Sequence, residues 1–117
     1  MPLPPEPDRT ADGPEWQLRT DPPPGERVAV LRLRPDMVRT VGRAAVADLV
    51  LDAPFLSRVH CRITARADAL LVEDLRSTNG TFVNGRRVER AALGDGDRLT
   101  IGRLEFSVSR HAAAAAG

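Results

Sequence analysis

Apolar and polar residues alternate along most of the chain between residues 28 and 109. From 60 to 65, for example, Cys61, Ile63 and Ala65 fall on one face and the polar residues fall on the other. A period of two residues is typical of β-strands with one buried face, whereas an amphipathic helix repeats every 3.6 residues. No window of useful length shows the helical period, so the pattern predicts an all-β protein.

Gly, Pro, Asn and Asp residues divide this region into short segments. Strands are favoured at 28–33, 38–41, 48–52, 60–65, 70–73, 81–83, 86–88, 99–101 and 104–109, with an earlier short strand at 16–20. Roughly nine to eleven short strands separated by turns are typical of a β-sandwich. We therefore predict this architecture.

The stretch from Asp74 to Gly85 carries the strongest local signal. Its second half reads Thr-Phe-Val, then Asn84-Gly85, then Arg-Arg-Val. An Asn-Gly pair between two strand-forming runs predicts a hairpin, because both turn positions need a positive φ that these residues adopt at low cost. The first half is a run of short polar side chains that ends at Gly80. We therefore predict a hairpin with a polar loop at its open end.

A length of 117 residues is typical of a single domain that buries a hydrophobic core. Eight of the 10 prolines lie within residues 1–24, a segment with few apolar side chains that cannot bury enough surface to offset its ordering entropy. We predict a disordered Pro-rich tail at 1–14, a folded domain at 15–110 and an Ala-rich tail at 111–117.

The charge balance and the single cysteine exclude several classes of function. A net charge of +1 predicts no direct attraction to nucleic acid or to an anionic membrane. All 17 basic residues are Arg, so an anionic ligand would meet planar guanidinium groups. Cys61 alone forms no intramolecular disulfide and no Cys-based metal cluster. Without a membrane-length apolar run or a signal-like N-terminus, we predict a cytoplasmic protein with no cofactor.

Four groups of polar residues fall in the predicted loops. They are Gly42-Arg43, Ser57-Arg58-Val59-His60, Ser77-Thr78-Asn79-Gly80 and the acidic turn at 93–97. Guanidinium groups form charge-assisted, bidentate hydrogen bonds with phosphate, and hydroxyl groups donate to the remaining phosphate oxygens. An Asn amide both donates and accepts, which suits a peptide backbone. The first three groups together therefore predict a site for a phosphorylated peptide.

Each group also has a simpler interpretation when it is taken alone. Short polar side chains in a loop can form hydrogen bonds with their own backbone. A His at the start of a strand commonly holds a loop in place through hydrogen bonds. The turn at 93–97 lacks the further ligands and the terminal Glu of a calcium loop, so we predict no metal site.

Ser57, His60 and Asp74 nominally supply the residue types of a hydrolase triad. The sequence has no Gly-x-Ser-x-Gly motif, and Ser57 and His60 are 3 residues apart at the entry to a strand. We therefore predict no catalytic residues and no enzyme activity.

The order and spacing of the four polar groups closely resemble those of the forkhead-associated (FHA) domain. The resemblance runs from about Glu26 to Ser109. It implies a β-sandwich of about eleven short, mostly antiparallel strands that binds phosphothreonine peptides through loops at one end. The implied partners are a phosphothreonine-containing protein or peptide and a Ser/Thr protein kinase or its substrate. A phosphate-independent interaction or oligomerisation module of the same fold is the alternative.

By position, the resemblance assigns phosphate contacts to Arg43, Ser57, Arg58 and Thr78, and a contact with the peptide main chain to Asn79. Each charge-assisted bond contributes on the order of 1.5–3 kcal/mol, so one Arg and two hydroxyls suffice to distinguish a phosphorylated peptide from a plain one.

Selectivity in this family depends on the third residue after the phosphothreonine. Two loop residues are candidates to read it: Phe55 favours an apolar ligand residue, whereas Arg76 favours an acidic one, and both alternatives stay open. The resemblance and the sequence assign structural roles to four further residues, which are Gly42, His60, Gly80 and Gly85.

Overall fold

The computed structural model describes residues 15–20, 28–53 and 55–111. All regular elements in these residues are β-strands, eleven in number, which confirms the predicted fold class. The described residues therefore contain no helix that could cross a bilayer. The predicted Pro-rich tail at 1–14 and the Ala-rich residues after His111 lie outside the described residues.

The strands follow one another through short connections. In chain order they are β1 (Glu15–Thr20), β2 (Val30–Leu33), β3 (Val38–Gly42), β4 (Leu49–Val50), β5 (Cys61–Ala65), β6 (Leu70–Asp74), β7 (Thr81–Val83), β8 (Arg86–Val88), β9 (Arg90–Leu93), β10 (Arg98–Ile101) and β11 (Leu104–His111). One sheet has the order β2-β1-β11-β10-β7-β8 and the other has the order β4-β3-β5-β6-β9. Among the strand pairs of the described residues, β3–β4 alone is parallel.

The two sheets share one apolar core. Alternate residues of β1, β2, β5, β6, β10 and β11 point into it, as the period of two predicts. Cys61, Ile63 and Ala65 of β5 are all buried, for example, and so are Phe106 and Val108 of β11. Both sheets contribute buried residues to the same cluster, so the fold is a sandwich whose interior excludes water.

The short strand predicted at 16–20 occupies a central position in the first sheet. It pairs with β11 on one side and with β2 on the other. The side chain of Trp16 is fully buried, and its indole N–H donates to the carbonyl of Arg66 over 2.8 Å. A buried Trp needs such a partner, because an unpaired N–H in the core costs free energy.

Strand β9 was not among the predicted strands. Its sequence, Arg-Ala-Ala-Leu, contains one large apolar residue and two residues with low strand propensity. The segment becomes a strand because it pairs in register with β6, for example Val72 with Ala91. Tertiary pairing therefore overrides a weak local signal here.

The hairpin predicted from Asn84-Gly85 is confirmed. Both residues have positive φ, 51° and 83°, and β7 pairs with β8 on either side of them. Asn84 also accepts a hydrogen bond from the backbone of Arg98 and donates to Asp97, which fixes the turn to the neighbouring strand. The turn and the loop before Thr81 lie at opposite ends of β7.

Candidate functional site

Three loops meet at one end of the sandwich and line a shallow, open cavity of about 530 Å³. The loops follow β3, precede β5 and precede β7. The cavity contains all five residues predicted to bind a phosphopeptide, together with two apolar ones; its lining is Arg43, Leu56, Ser57, Arg58, Val59, Thr78 and Asn79. The fold thus brings together residues that are up to 36 positions apart in the sequence (79 − 43).

Gly42 allows the first two loops to run side by side. A Cβ atom at this position would lie 2.1 Å from the carbonyl oxygen of Arg58, a distance that no side chain tolerates. Two backbone hydrogen bonds use the close approach: Arg43 N–H donates to Ser57 O and Ala44 N–H donates to Arg58 O, each over 3.0 Å. The glycine therefore sets the position of Arg43 relative to Ser57.

The side chain of Arg43 is held at its base and free at its tip. Its Nε–H donates to the carbonyl of Leu56 over 3.2 Å. The two terminal amino groups of the guanidinium have no hydrogen-bond partner among the described residues, and Arg43 is one of the residues that line the cavity. This leaves Arg43 able to bind an anion through the planar end of its side chain.

Ser57 links the second loop to the third. Its Oγ accepts a hydrogen bond from the backbone N–H of Thr78 over 2.9 Å. Because the oxygen is engaged as an acceptor, the hydroxyl hydrogen remains available to donate to a ligand. Thr78 and Arg58 both have exposed side chains at the cavity rim.

His60 is fully buried beneath the cavity and joins the same two loops. Its Nδ1 accepts from the backbone N–H of Ser57 over 3.0 Å. The proton therefore resides on Nε2, which lies 2.8 Å from the carbonyl oxygen of Gly80 and donates to it. Since both ring nitrogens contact the backbone, His60 cannot act as the base of the nominal triad with Ser57 and Asp74.

Asp74 braces the third loop from within. Its carboxylate accepts hydrogen bonds from the hydroxyl of Ser77, from the backbone N–H of Ser77 over 3.1 Å and from the hydroxyl of Thr81 over 2.8 Å. Burial acts to raise the pKa of Asp74, but the hydrogen bonds from Ser77 and Thr81 outweigh it and hold the pKa below its usual value. Ser77 Oγ in turn accepts from the backbone N–H of Gly80, so the loop is cross-linked by side chains.

Asn79 and Phe55 contact each other at the rim. The amide nitrogen of Asn79 donates to the carbonyl of Phe55 over 3.0 Å, which leaves the amide oxygen as an acceptor for a ligand. The ring of Phe55 stacks beneath the guanidinium of Arg103, 3.8 Å from the ring centroid. Arg103 lies in the β10–β11 turn and was not predicted from the sequence, because only the folded chain brings it to Phe55.

Arg76, the second candidate for selectivity, lies in a different cavity. This second cavity measures about 1130 Å³ and is lined by the end of β6, by residues 76–77 and by residues 87–90. The structure thus separates the two predicted selectivity residues: Phe55 lies beside Asn79, and Arg76 lies on the other side of the third loop. The larger cavity is not the one that holds the five predicted binding residues.

Arg87 lies close to Gly80, at the end of the third loop. Gly80 has a φ of 93°, and a Cβ atom there would lie 3.0 Å from Nε of Arg87. The guanidinium of Arg87 therefore lies directly over the glycine, a placement that no pattern in the sequence predicts. Gly85 has no neighbour within 4 Å of such a Cβ, so its requirement is the positive φ of the hairpin turn alone.

Cys61 does not add to the chemistry of the site. It is buried in the core, and burial, together with the nearby charge of Asp74, raises the pKa of its thiol to about 12. A protonated, buried thiol is neither a nucleophile nor a metal ligand. Within residues 15–20, 28–53 and 55–111, no group of three or more His, Cys, Asp or Glu side chains is placed to hold a metal ion.

A β-sandwich with a polar cavity built from loops at one end has the architecture of a binding module. The chain belongs to the FHA domain family: the model of this family matches residues 39–102. FHA domains are non-catalytic binding modules.

Two mycobacterial relatives illustrate the similarity in sequence. The ABC transporter ATP-binding/permease protein Rv1747 of Mycobacterium tuberculosis is 44% identical over 74 residues, which cover 63% of this chain and 8% of the transporter. The glycogen accumulation regulator GarA of the same organism is 31% identical over 93 residues, which cover 72% of this chain and 57% of GarA. The chain therefore spans only part of these relatives.

Solved FHA domains share the fold. The FHA domain of CT664 from Chlamydia trachomatis superimposes with a TM-score of 0.74 at 28% identity, covering 81% of this chain and 96% of that one. A structure from work on phosphothreonine-dependent FHA domain interactions gives a TM-score of 0.68 at 32% identity, covering 84% and 96%. These neighbours confirm the predicted fold and family.

Proposed function

We propose that the chain is a signalling or adaptor module that recognises phosphothreonine in partner proteins phosphorylated by Ser/Thr kinases. One observation carries this proposal: Arg43, Ser57, Arg58, Thr78 and Asn79 line one cavity, and the first, second and last of them keep hydrogen-bonding capacity that their own contacts do not use. A relative of the same family, studied for phosphothreonine-dependent interactions, supports the choice of ligand.

The phosphate occupies the space between Arg43 and Ser57. Arg43 offers its two terminal amino groups, Ser57 offers its hydroxyl hydrogen, and Arg58 and Thr78 add contacts from the rim. Charge-assisted hydrogen bonds from a rigid frame cost little ordering entropy on binding. The amide oxygen of Asn79 then accepts a hydrogen bond from a main-chain N–H of the peptide.

The apolar part of the cavity contacts the threonine methyl group. Leu56 and Val59 line the same cavity as Arg43 and Ser57. Burying one methyl group contributes roughly 0.8 kcal/mol, which favours phosphothreonine over phosphoserine by a small factor.

The replacement Arg43→Ala tests the proposal. We expect it to weaken binding of a phosphothreonine peptide roughly 100-fold, since it removes about 3 kcal/mol of charge-assisted bonding. Fluorescence anisotropy with peptides selected from an oriented phosphothreonine library measures the effect. Arg86→Ala, which changes an exposed Arg outside the cavity, is the matched control and should bind as the wild type does.

The same measurement separates the phosphate-independent alternative. If a partner binds equally before and after phosphatase treatment and survives Arg43→Ala, the domain is an interaction module that does not read phosphate, and the proposal is wrong.

A further inference from the structure

The tight turn between β10 and β11 lies beside the first cavity, the one that holds the residues proposed to bind the phosphopeptide. The turn consists of Gly102 and Arg103, and Ile101 pairs with Leu104 on either side of it. The residues that line the two cavities do not include Gly102 or Arg103. The turn therefore influences the first cavity through the loop residues that it contacts.

Gly102 joins this turn to the third loop. Its backbone N–H donates to the carbonyl oxygen of Gly80 over 3.1 Å. The same oxygen accepts from Nε2 of His60 over 2.8 Å. Because Gly80 directly follows Asn79, these two hydrogen bonds hold the backbone next to the residue proposed to bind the peptide main chain.

Gly102 also lies against the carbonyl group of Phe55. A Cβ atom at Gly102 would lie 2.5 Å from the carbonyl oxygen of Phe55, a distance that no side chain tolerates. Its φ of 63° is a further reason for glycine at this position. The same carbonyl oxygen accepts the hydrogen bond from Nδ2 of Asn79 over 3.0 Å. A glycine is therefore required where the turn meets the acceptor that Asn79 uses.

Arg103 contacts the ring of the same residue. Phe55 is 37% exposed, so the hydrophobic core alone does not hold its ring. The guanidinium carbon of Arg103 lies 3.8 Å from the ring centroid, where the electron-rich face of the ring attracts a cation. The two residues of the turn thus contact both the carbonyl group and the side chain of Phe55.

The carbonyl group of Phe55 decides which end of the Asn79 amide faces the cavity. An Asn amide has two orientations that exchange its oxygen and its nitrogen, and its hydrogen-bond partners select between them. A backbone carbonyl only accepts, so it pairs with the nitrogen. The reversed amide would bring two acceptor oxygens together. A fixed carbonyl at Phe55 therefore leaves the amide oxygen of Asn79 for the ligand.

We propose that the β10–β11 turn positions the amide of Asn79 for the peptide main chain by holding Phe55 in place. Gly102 and Arg103 are positioning residues that act through Phe55 and not through contact with the ligand. This inference rests on the proposed function, in which the amide oxygen of Asn79 accepts a main-chain N–H. Since every peptide has a main chain, the turn affects the affinity for all phosphothreonine peptides alike.

Gly102→Ala tests the backbone contact, with fluorescence anisotropy as the measurement. We expect it to weaken binding of a singly phosphorylated threonine peptide roughly 10-fold, because the added Cβ displaces the carbonyl of Phe55. Gly96→Ala is the matched control: Gly96 has a φ of 92°, but a Cβ there meets no atom within 4 Å. The control carries the same kind of backbone strain and should bind as the wild type does. Equal affinities of the two variants contradict the proposal.

A double-mutant cycle assigns the effect of Gly102 to Asn79. In the Asn79→Ala background, Gly102→Ala should change the affinity less than about twofold, because the group that the turn positions is already absent. The full loss in that background would mean that Gly102 acts independently of Asn79, and the proposal would be wrong.

Arg103→Ala separates positioning from direct contact with the ligand. We expect about threefold weaker binding, the result of losing one cation–π contact at an exposed site. Two peptides that differ only in the third residue after the phosphothreonine should show the same loss, and Arg86→Ala should show none. A loss confined to one of the two peptides indicates a direct contact with that residue and overturns the proposal.

The side-chain amide signals of Asn79 in the NMR spectrum of the free protein provide a test without any peptide. Gly102→Ala and Arg103→Ala should shift them toward the values of an amide without a hydrogen bond, whereas Gly96→Ala should leave them unchanged. Unshifted signals in the first two variants reject the positioning role, whatever the peptides show. Failure of the wild type to bind any phosphothreonine peptide rejects the proposed function instead.

Discussion

The two cavities on either side of the loop from Asp74 to Gly80 are built in different ways. In the first, backbone contacts fix the positions of Arg43 and Ser57, whose loops hydrogen bond to each other, and the ring of His60 joins the backbone of Ser57 to that of Gly80 from below. In the second, three long Arg side chains lie at the surface with no ion-pair partner among the described residues. The loop from Asp74 to Gly80 therefore lies between a cavity braced by backbone hydrogen bonds and a cavity lined by long, exposed side chains.

Rigidity and adaptability have different energetic consequences. A group that is already held in place loses little rotamer freedom when it binds, whereas an exposed Arg loses up to about 2 kcal/mol of side-chain entropy. We therefore expect the first cavity to supply most of the affinity for a phosphopeptide.

Among the replacements that test the difference between the two cavities, we expect Gly42→Ala to have the largest effect on stability and on phosphopeptide binding. The added Cβ would lie 2.1 Å from the carbonyl oxygen of Arg58, so the two loops must separate and the hydrogen bonds of Arg43 and Ala44 must break. We expect a loss of about 3 kcal/mol in the free energy of unfolding, measured by chemical denaturation, and loss of phosphopeptide binding.

Gly94→Ala is the control for this replacement. A Cβ at Gly94 meets no atom within 4 Å and its φ is not positive, so we expect a change within about 0.5 kcal/mol. Equal stability of the two variants would show that the close approach at Gly42 is unimportant.

A smaller effect, about 1.5 kcal/mol, is expected from Asp74→Asn, which weakens the charge-assisted hydrogen bonds inside the shared loop. Because the fold lowers the pKa of Asp74, its carboxylate stabilises the protein above the unfolded pKa of about 3.9, and this contribution is lost as the pH falls through the folded pKa. The difference in stability between wild type and variant should therefore be constant from pH 7 to about pH 4 and shrink below that. Denaturation curves at several pH values measure it.

Asp97→Asn provides the comparison for Asp74→Asn. Asp97 also has a lowered pKa, first because the backbone N–H of Gly94 donates to it and second because Asn84 does, but it lies in a turn away from both cavities. Asp74→Asn should weaken phosphopeptide binding, whereas Asp97→Asn should not. Equal loss of binding in both variants would contradict a specific role for the loop.

Much of the fold and of the first cavity could be predicted from the sequence because the information is local. The period of two identifies the buried faces, and Asn84-Gly85 specifies its turn through the φ values that it allows. The five residues proposed to bind the phosphopeptide lie in short motifs at predicted loop positions, and all five line the first cavity.

The features that the sequence did not predict depend on contacts between segments that are distant in the chain. Strand β9 exists because it pairs with β6, and Arg103 reaches Phe55 only when the β10–β11 turn folds beside the loop before β5. Arg87 had been assigned only to a hairpin strand, yet its guanidinium lies over Gly80, seven positions earlier (87 − 80). No pattern in the sequence distinguishes these arginines from the other exposed ones.

The central claim is that the first cavity is a preformed phosphothreonine site, and a backbone NMR titration tests it most directly. Addition of a singly phosphorylated threonine peptide to the labelled protein should shift the amide signals of residues 43, 57, 58, 78 and 79 strongly, with small changes elsewhere, and the dephosphorylated peptide should shift none of them. Strong shifts with the dephosphorylated peptide, or shifts centred away from these five residues, would contradict the account.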